Sequence, residues 1–303
     1  MKRVLRNQSR SRGNCFDPMD SCTEVEPGED FVVECHTYGK GVYWKEGDDE
    51  PGDHSGKLCL PVAVKGIEAG DTIAIEIKKI LTLGMGLAGN TGPLQRDEDF
   101  RGEVMDFLIP IEGEHAALPG GIEAKITPAL GHINVEPEVI GENPGRYGGN
   151  MDLAEACEGN TIYLRAEKDG AKIVLGDPKA HVAEGEASGE GIQCGLDVTL
   201  NVTKSDRIQV RRPFVETPTH WIAIGIDPDY WTAVKQATAD LVEFAQTRTG
   251  LEYNPVYFWV THFAHARNGA IWLMGESGQD FHIPRTVTLH LPKTAKIPNG
   301  QVS

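Results

Sequence analysis

The sequence predicts a mainly β fold: a β-sandwich or barrel-like body followed by a C-terminal α+β segment. Three observations carry the prediction. Thirty-five glycines and eighteen prolines are spread along the 303 residues, which cuts residues 1–225 into short segments. Most of those segments alternate apolar and polar side chains with period two, the pattern of a strand with one face buried. After Trp221 the pattern changes to helical spacing and then returns to alternation. A β-rich body over 1–220 and an α+β segment over 221–303, packed on that body, are expected.

The strand candidates are Phe31-Val32-Val33-Glu34-Cys35, Ile73-Ala74-Ile75-Glu76-Ile77 and Ile162-Tyr163-Leu164-Arg165. Each follows an acid and a glycine turn: Glu26-Pro27-Gly28-Glu29, Glu68-Ala69-Gly70-Asp71 and Glu158-Gly159-Asn160. This weak similarity suits antiparallel sandwiches and barrels and is too irregular for a solenoid. Further strands are predicted near 104–110, 171–175, 195–203 and 207–210. Asp227-Pro228 predicts a helix start, because Asp caps free N–H groups and Pro suits the first helical position. Trp231, Val234, Ala237, Leu241 and Phe244 then recur at helical spacing until Gly250. Asn254-Pro255 opens a shorter helix reaching about His265, and Val287-Thr288-Leu289-His290-Leu291 reads as a last strand.

Composition narrows the function. The chain is 40% hydrophobic and 24% charged, with a formal charge of −16. That charge disfavours nucleic acid as a partner, since phosphate neutralisation needs clustered Lys and Arg. The exception is Lys2, Arg3, Arg6, Arg10 and Arg12, read either as a targeting or nucleic-acid arm or as a basic first strand facing an acidic body. Six dispersed cysteines without a Cys-x-x-Cys pair match neither a disulfide framework nor a zinc finger. A soluble cytoplasmic protein with reduced thiols is expected, with no membrane span. No Walker sequence is present, and no Gly-x-Ser-x-Gly elbow.

Two glycine-punctuated polar clusters stand out: Gly145-Arg146-Tyr147-Gly148-Gly149-Asn150-Met151-Asp152, and Gly176 through Glu186. On a strand, Asp177, Lys179 and His181 share a face, and Glu184 and Glu186 share one after a turn. His181 with Asp177 and a carboxylate suits a divalent metal such as zinc, whose bound water is acidic enough to attack a carbonyl. Alternatively, Glu184 or Glu186 is a general base with Lys179 holding charge, or the segment is a solvated turn. Asn150, after two glycines, is either an amide donor to a substrate oxygen or a turn residue. His132 lies in a strand-like run and reads as a core histidine or a pocket residue. His262 and His265, three apart, share a face if both are helical, and read either as a metal-binding pair or, with their aromatic neighbours, as the cover of an apolar cleft. His54 sits in a loop, and Cys59 lacks a neighbouring base.

These clusters resemble the acetamidase/formamidase family. Gly148-Gly149-Asn150-Met151-Asp152 is similar to its Gly-Gly-Asn-Met-Asp segment. Leu175-Gly176-Asp177 through Glu186-Ala187-Ser188-Gly189 resembles its Gly-Asp-x-His-Ala-x-x-Gly-Asp-Gly-Glu stretch. Val64 through Asp71, Pro128 through Pro137 and Thr217-Pro218 through Asp227-Pro228 follow in the same order. The resemblance implies hydrolysis of a small carboxamide to carboxylate and ammonia, a homo-oligomer (dimer or higher), and a divalent metal, zinc or calcium. It points to Asn150, Asp152, Asp177 and Glu186 as site residues. To these the residues themselves add Glu184 as a catalytic base and His181 as a metal ligand beside Asp177 and Glu186. A lactam-type cyclic amide, or a carboxylate ligand captured by Lys179 without catalysis, is the alternative substrate or role.

The departures are as informative. Lys179 stands where the family has His, Val182-Ala183-Glu184-Gly185-Glu186 where it has Gln-Gly-Asp-Gly-Glu, and Tyr147 where His is common. His181, two residues on, is the one imidazole able to compensate. Otherwise an ammonium occupies a metal-ligand position and repels the metal.

Overall fold

The computed structural model describes residues 1–11, 22–37, 57–89, 103, 105–137, 144–269, 271 and 285–296. The architecture is mainly β, with two helices near the C-terminal end. The spine is the antiparallel pairing of the long strand Thr72–Gly89 with Ile192–Lys204. On one side of this pair lies Asp30–Cys35; on the other, Thr161–Arg165 leads through Phe214–Glu216 and His220–Asp227 to Arg285–Pro292. A second pairing, Ala129–Val135 with Ile173–His181, carries the start of the second polar cluster and joins the spine through Lys179 opposite Gln193, while Gly148–Asn150 of the first cluster also pairs with Ala129–Val135.

The predicted alternation is realised in burial. Ile73, Ile75 and Ile77 are fully buried, as are Val198, Leu200 and Val202, and they join Phe31, Val33, Ile162 and Leu164 in the main core. Each such side chain contributes about 1.5–3 kcal/mol relative to exposure. The basic start is a strand facing acids: Lys2–Val4 runs parallel to Phe31–Val33, with Arg3 and Arg6 each 2.9 Å from Asp197.

Helix α1 spans Tyr230–Thr249 and α2 spans Tyr253–Phe263. The start of α1 differs from the prediction by two residues. Asp229, not Asp227, is the cap, its carboxylate accepting from Thr232 N at 2.9 Å, while Asp227 accepts from the Asp229 amide. Gly250 closes α1 in the left-handed conformation, as expected. Helix α2 ends before His265, which begins the strand His265–Asn268, so His262 and His265 do not share a helical face. Residues 207–210 are not a strand. Ser205 and Ile208 bond each other through Oγ instead, and this local turn replaces ladder bonds. His54 lies outside the described residues.

The helices rest on Trp221, Ala223, Leu289 and Leu291 of the C-terminal strands and on Tyr163 and Phe214 of the body. Contact at Gly225 is close enough that a Cβ there would collide with the backbone of Ala233 in α1. Gly225→Ala therefore forces α1 off the sheet and should cost about 1–3 kcal/mol, the range for overpacking. Urea denaturation checks this, and an unchanged midpoint would refute it.

Candidate active site

The Ile173–His181 strand passes from one core to another. Ile173, Val174 and Leu175 belong to the main core, while Ala180 packs in a small cluster with Ile109, Ile111 and Cys194. Between them stand Asp177 and Lys179, side by side on one face. Gly191 leaves room for the lysine stem, since a Cβ there would lie 2.9 Å from Lys179 Cδ.

Four non-glycine residues among those described have positive φ, and three are acids: Asp152 at 46°, Asp177 at 49° and Glu186 at 43°. Left-handed backbone costs an L-residue energy, and such positions gather at functional sites. All three carboxylates converge on one nitrogen. Lys179 Nζ lies 2.5 Å from Asp152 Oδ1 and 3.3 Å from Asp177 Oδ2, and it also donates to Glu186 Oε1. The four residues are 5% exposed or less.

Each group is delivered by different local chemistry. Asp152 follows the short strand Gly148–Asn150, and its amide and that of Met151 both donate to Gly131 O at 3.0 Å. Pro178 keeps Asp177 out of the right-handed helical region. Glu186 closes a turn, donating its amide to Ala183 O. Gly131 faces the acids from the neighbouring strand; a Cβ there would lie 2.6 Å from Asp152 Oδ1 and collide with the Asp177 carboxylate. Asn150 completes the group, donating from Nδ2 to Asp152 Oδ2 at 2.9 Å.

Burial pushes the Asp152 carboxyl well above its ordinary value; the Lys179 charge opposes this and the charges of Glu186 and Asp177 add to it. Glu186 is also raised, by burial first and by Asp177, against the pull of Lys179. Burial lowers Lys179, but the three carboxylates outweigh it and the net shift is upward. The ammonium thus stays charged while Asp152 and Glu186 hold protons more tightly than free carboxyls. Both follow from placing three acids and one base in a low dielectric.

The other expected residues are not in this group. His181 is half-buried, and its Nδ1 accepts from Thr127 N at 3.2 Å. Burial lowers its pKa, and the pairing with the Ile192–Lys204 strand shifts register between Lys179 and His181. His181 is therefore not brought together with Asp177 and Glu186, whose carboxylates meet at Lys179 instead. Glu184 is exposed and paired with Arg267 at 2.6 Å. Its turn is tied to the His265–Asn268 strand through Gly185 N to Asn268 O. Tyr147 packs against the main core. His132 is buried, with Nε2 2.8 Å from Asn134 Oδ1. Gly131 was hidden beside it; a glycine inside an apolar strand run, where a close approach is common, is the signal that marks it.

The donor set does not suit a divalent metal, because the carboxylates point at the Lys179 nitrogen and the expected imidazole is turned to a backbone amide.

No protein-family model matches the chain, and no curated protein matches it. Solved structures do. An acetamidase from Bacillus halodurans superposes with a TM-score of 0.78 at 23% identity, over 96% of this chain and 97% of its own. A predicted acetamidase/formamidase from Thermoanaerobacter tengcongensis gives 0.80 at 21% identity, over 96% and 95%. A gamma lactamase from Delftia acidovorans gives 0.53 at 18%, over 92% and 88%. The strand order that brings Asp152, Asp177, Lys179 and Glu186 together thus belongs to a known architecture, and the chain has the acetamidase/formamidase fold.

Proposed function

We propose that this protein hydrolyses the C–N bond of a small carboxamide, giving a carboxylate and ammonia. The observation that carries the reading is the convergence of three strained, buried acids on Lys179, in a fold shared with acetamidases and formamidases. Amide hydrolysis needs a base to deprotonate water, a donor for the carbonyl oxygen and an acid for the leaving nitrogen. Asp152 and Glu186 lie within hydrogen-bonding reach of each other and share the attraction of Lys179. The ionised member takes the water proton, hydroxide attacks the carbonyl carbon, and the protonated member gives its proton to the departing nitrogen. Asn150, at the less buried edge, donates to the carbonyl oxygen, and Asp177 accepts from the substrate N–H.

Capture of a carboxylate by Lys179 is the weaker reading. Three acids already surround the ammonium, so an anion would meet excess negative charge. A lactam-type cyclic amide is kept as a second substrate class by the gamma lactamase likeness.

Ammonia release from formamide and acetamide, with ring-opened acid from a γ-lactam, tests the reading. Glu186→Gln should lower kcat by about 10²- to 10⁴-fold, the usual contribution of a general acid–base group. Glu184→Gln should have a much smaller effect. Absence of turnover on every amide would overturn the proposal, and equal losses in both variants would overturn the assignment.

A cytoplasmic homo-oligomer completes the reading. Cys22, Cys35, Cys59, Cys157 and Cys194 are free thiols. Helix α2 buries Val256 and Val260 but exposes Tyr253, Tyr257, Phe258 and Phe263, an apolar face of the kind that marks a contact surface. Light scattering should give a dimer or larger; a monomer at all concentrations would refute it.

A further inference from the structure

We propose that the Lys179 ammonium is the resident cation of the Asp152–Asp177–Glu186 cage, in place of a divalent metal, and that the protein binds no such metal there. Geometry carries the proposal. An ammonium has three donors and no acceptor. Here it faces three carboxylates: Asp152 Oδ1 at 2.5 Å, Asp177 Oδ2 at 3.3 Å, and Glu186 Oε1. The nitrogen sits at the point on which the carboxylates converge, where a metal would have to bind.

Displacement is opposed on three counts. Lys179 is 2% exposed, and its stem lies against Gly191, so the head group cannot swing to solvent without repacking the site. The acids have little room to turn to a second point, because all three are buried and Asp152 and Asp177 already lie so close to Gly131 that a Cβ there would collide with them. A divalent ion beside the ammonium would add like-charge repulsion to the loss of two or three charge-assisted hydrogen bonds. Zinc also favours nitrogen or sulfur ligands, and the nearest imidazole in sequence, His181, accepts from Thr127 N.

The cage thus has its positive charge built into the chain. It provides field and orientation, as a metal would, but has no open coordination position on which to hold water. The consequence for turnover rests on the amide-hydrolase reading; the statement about metal binding does not.

Full-length protein, purified without chelator and again after dialysis against EDTA, would be assayed for zinc, calcium, manganese and iron by elemental analysis. Melting would be followed with added Zn²⁺ or Ca²⁺. The expected result is metal far below one ion per chain, a melting temperature unmoved by chelator or metal, and amide turnover unaffected by EDTA. One tightly held divalent ion per chain, whose removal lowers the melting temperature, would overturn the proposal. Lys179→Ala empties the centre of the cage and should create a divalent site, seen as a melting temperature that rises with Ca²⁺ or Zn²⁺ concentration. Lys179→His, which also supplies an imidazole, serves if the alanine variant does not fold. Folded variants that take up no metal would also count against the proposal. Metal-free protein inactive toward all amides would defeat the amide-hydrolase reading while leaving the cation assignment intact.

Discussion

Lys179→Met should be the most destabilising single substitution of a site residue, costing about 3–5 kcal/mol at neutral pH, as expected when one partner of a buried ion cluster is removed. Methionine fills most of the stem volume, so the loss comes from the acids, not from a cavity. Asp152, Asp177 and Glu186 would remain buried with no cation among them. The cost should depend on pH in a defined direction. Asp152 and Glu186 have folded pKa values above the ordinary 3.8 and 4.5, so the native state binds protons that the unfolded chain has released. Their contribution is therefore fully present below about pH 4 and is lost as pH rises through the folded values. Removing the ammonium takes away what opposes the rise, which extends the loss further upward. Denaturant titrations near pH 5 and near pH 8 should show a larger deficit for the variant at the higher pH. An equal deficit, or one that grows on acidification, would contradict the charge account.

Gly131→Ala should abolish most activity while leaving the chain folded. The glycine backbone is not left-handed, so alanine meets no torsional obstacle. Its added carbon instead lies 2.6 Å from Asp152 Oδ1 and runs into the Asp177 carboxylate, pushing both away from Lys179. Displacement of about 1 Å at reacting groups can cost 10²-fold in rate, and a loss in kcat/KM of at least that order is expected. The stability change should stay within about 1–3 kcal/mol. Wild-type kinetics in this variant would show that the acids do not act from their observed positions.

Much of the fold was legible in the chain. Alternation at Ile73, Ile75 and Ile77, or at Val198, Leu200 and Val202, marks residues that are indeed buried. Gly250 ends α1 because its left-handed cap is a local property. Predictions failed where a nearby bond competed. Asp229 won the cap from Asp227 through Thr232, and Ser205 drew Ile208 into a turn where alternation suggested a strand. At the site, the resemblance picked out Asn150, Asp152, Asp177 and Glu186, which do come together. His181 and Glu184 were placed on the right segment but bond Thr127 and Arg267. Gly131 was missed because its contribution is the absence of a side chain.

By itself, the sequence determined the β-rich body, the helix that follows, and a lysine at position 179 where the resembling family has histidine. These depend on residue type and short-range periodicity. Only the tertiary structure decided what that lysine does. Asp152, Asp177 and Glu186 are brought from separate segments, and their left-handed backbones persist because the surrounding strands and turns hold them. Convergence of three acids on one buried nitrogen is a property of the closed chain, since charges distant along a sequence interact strongly only where packing removes the water between them.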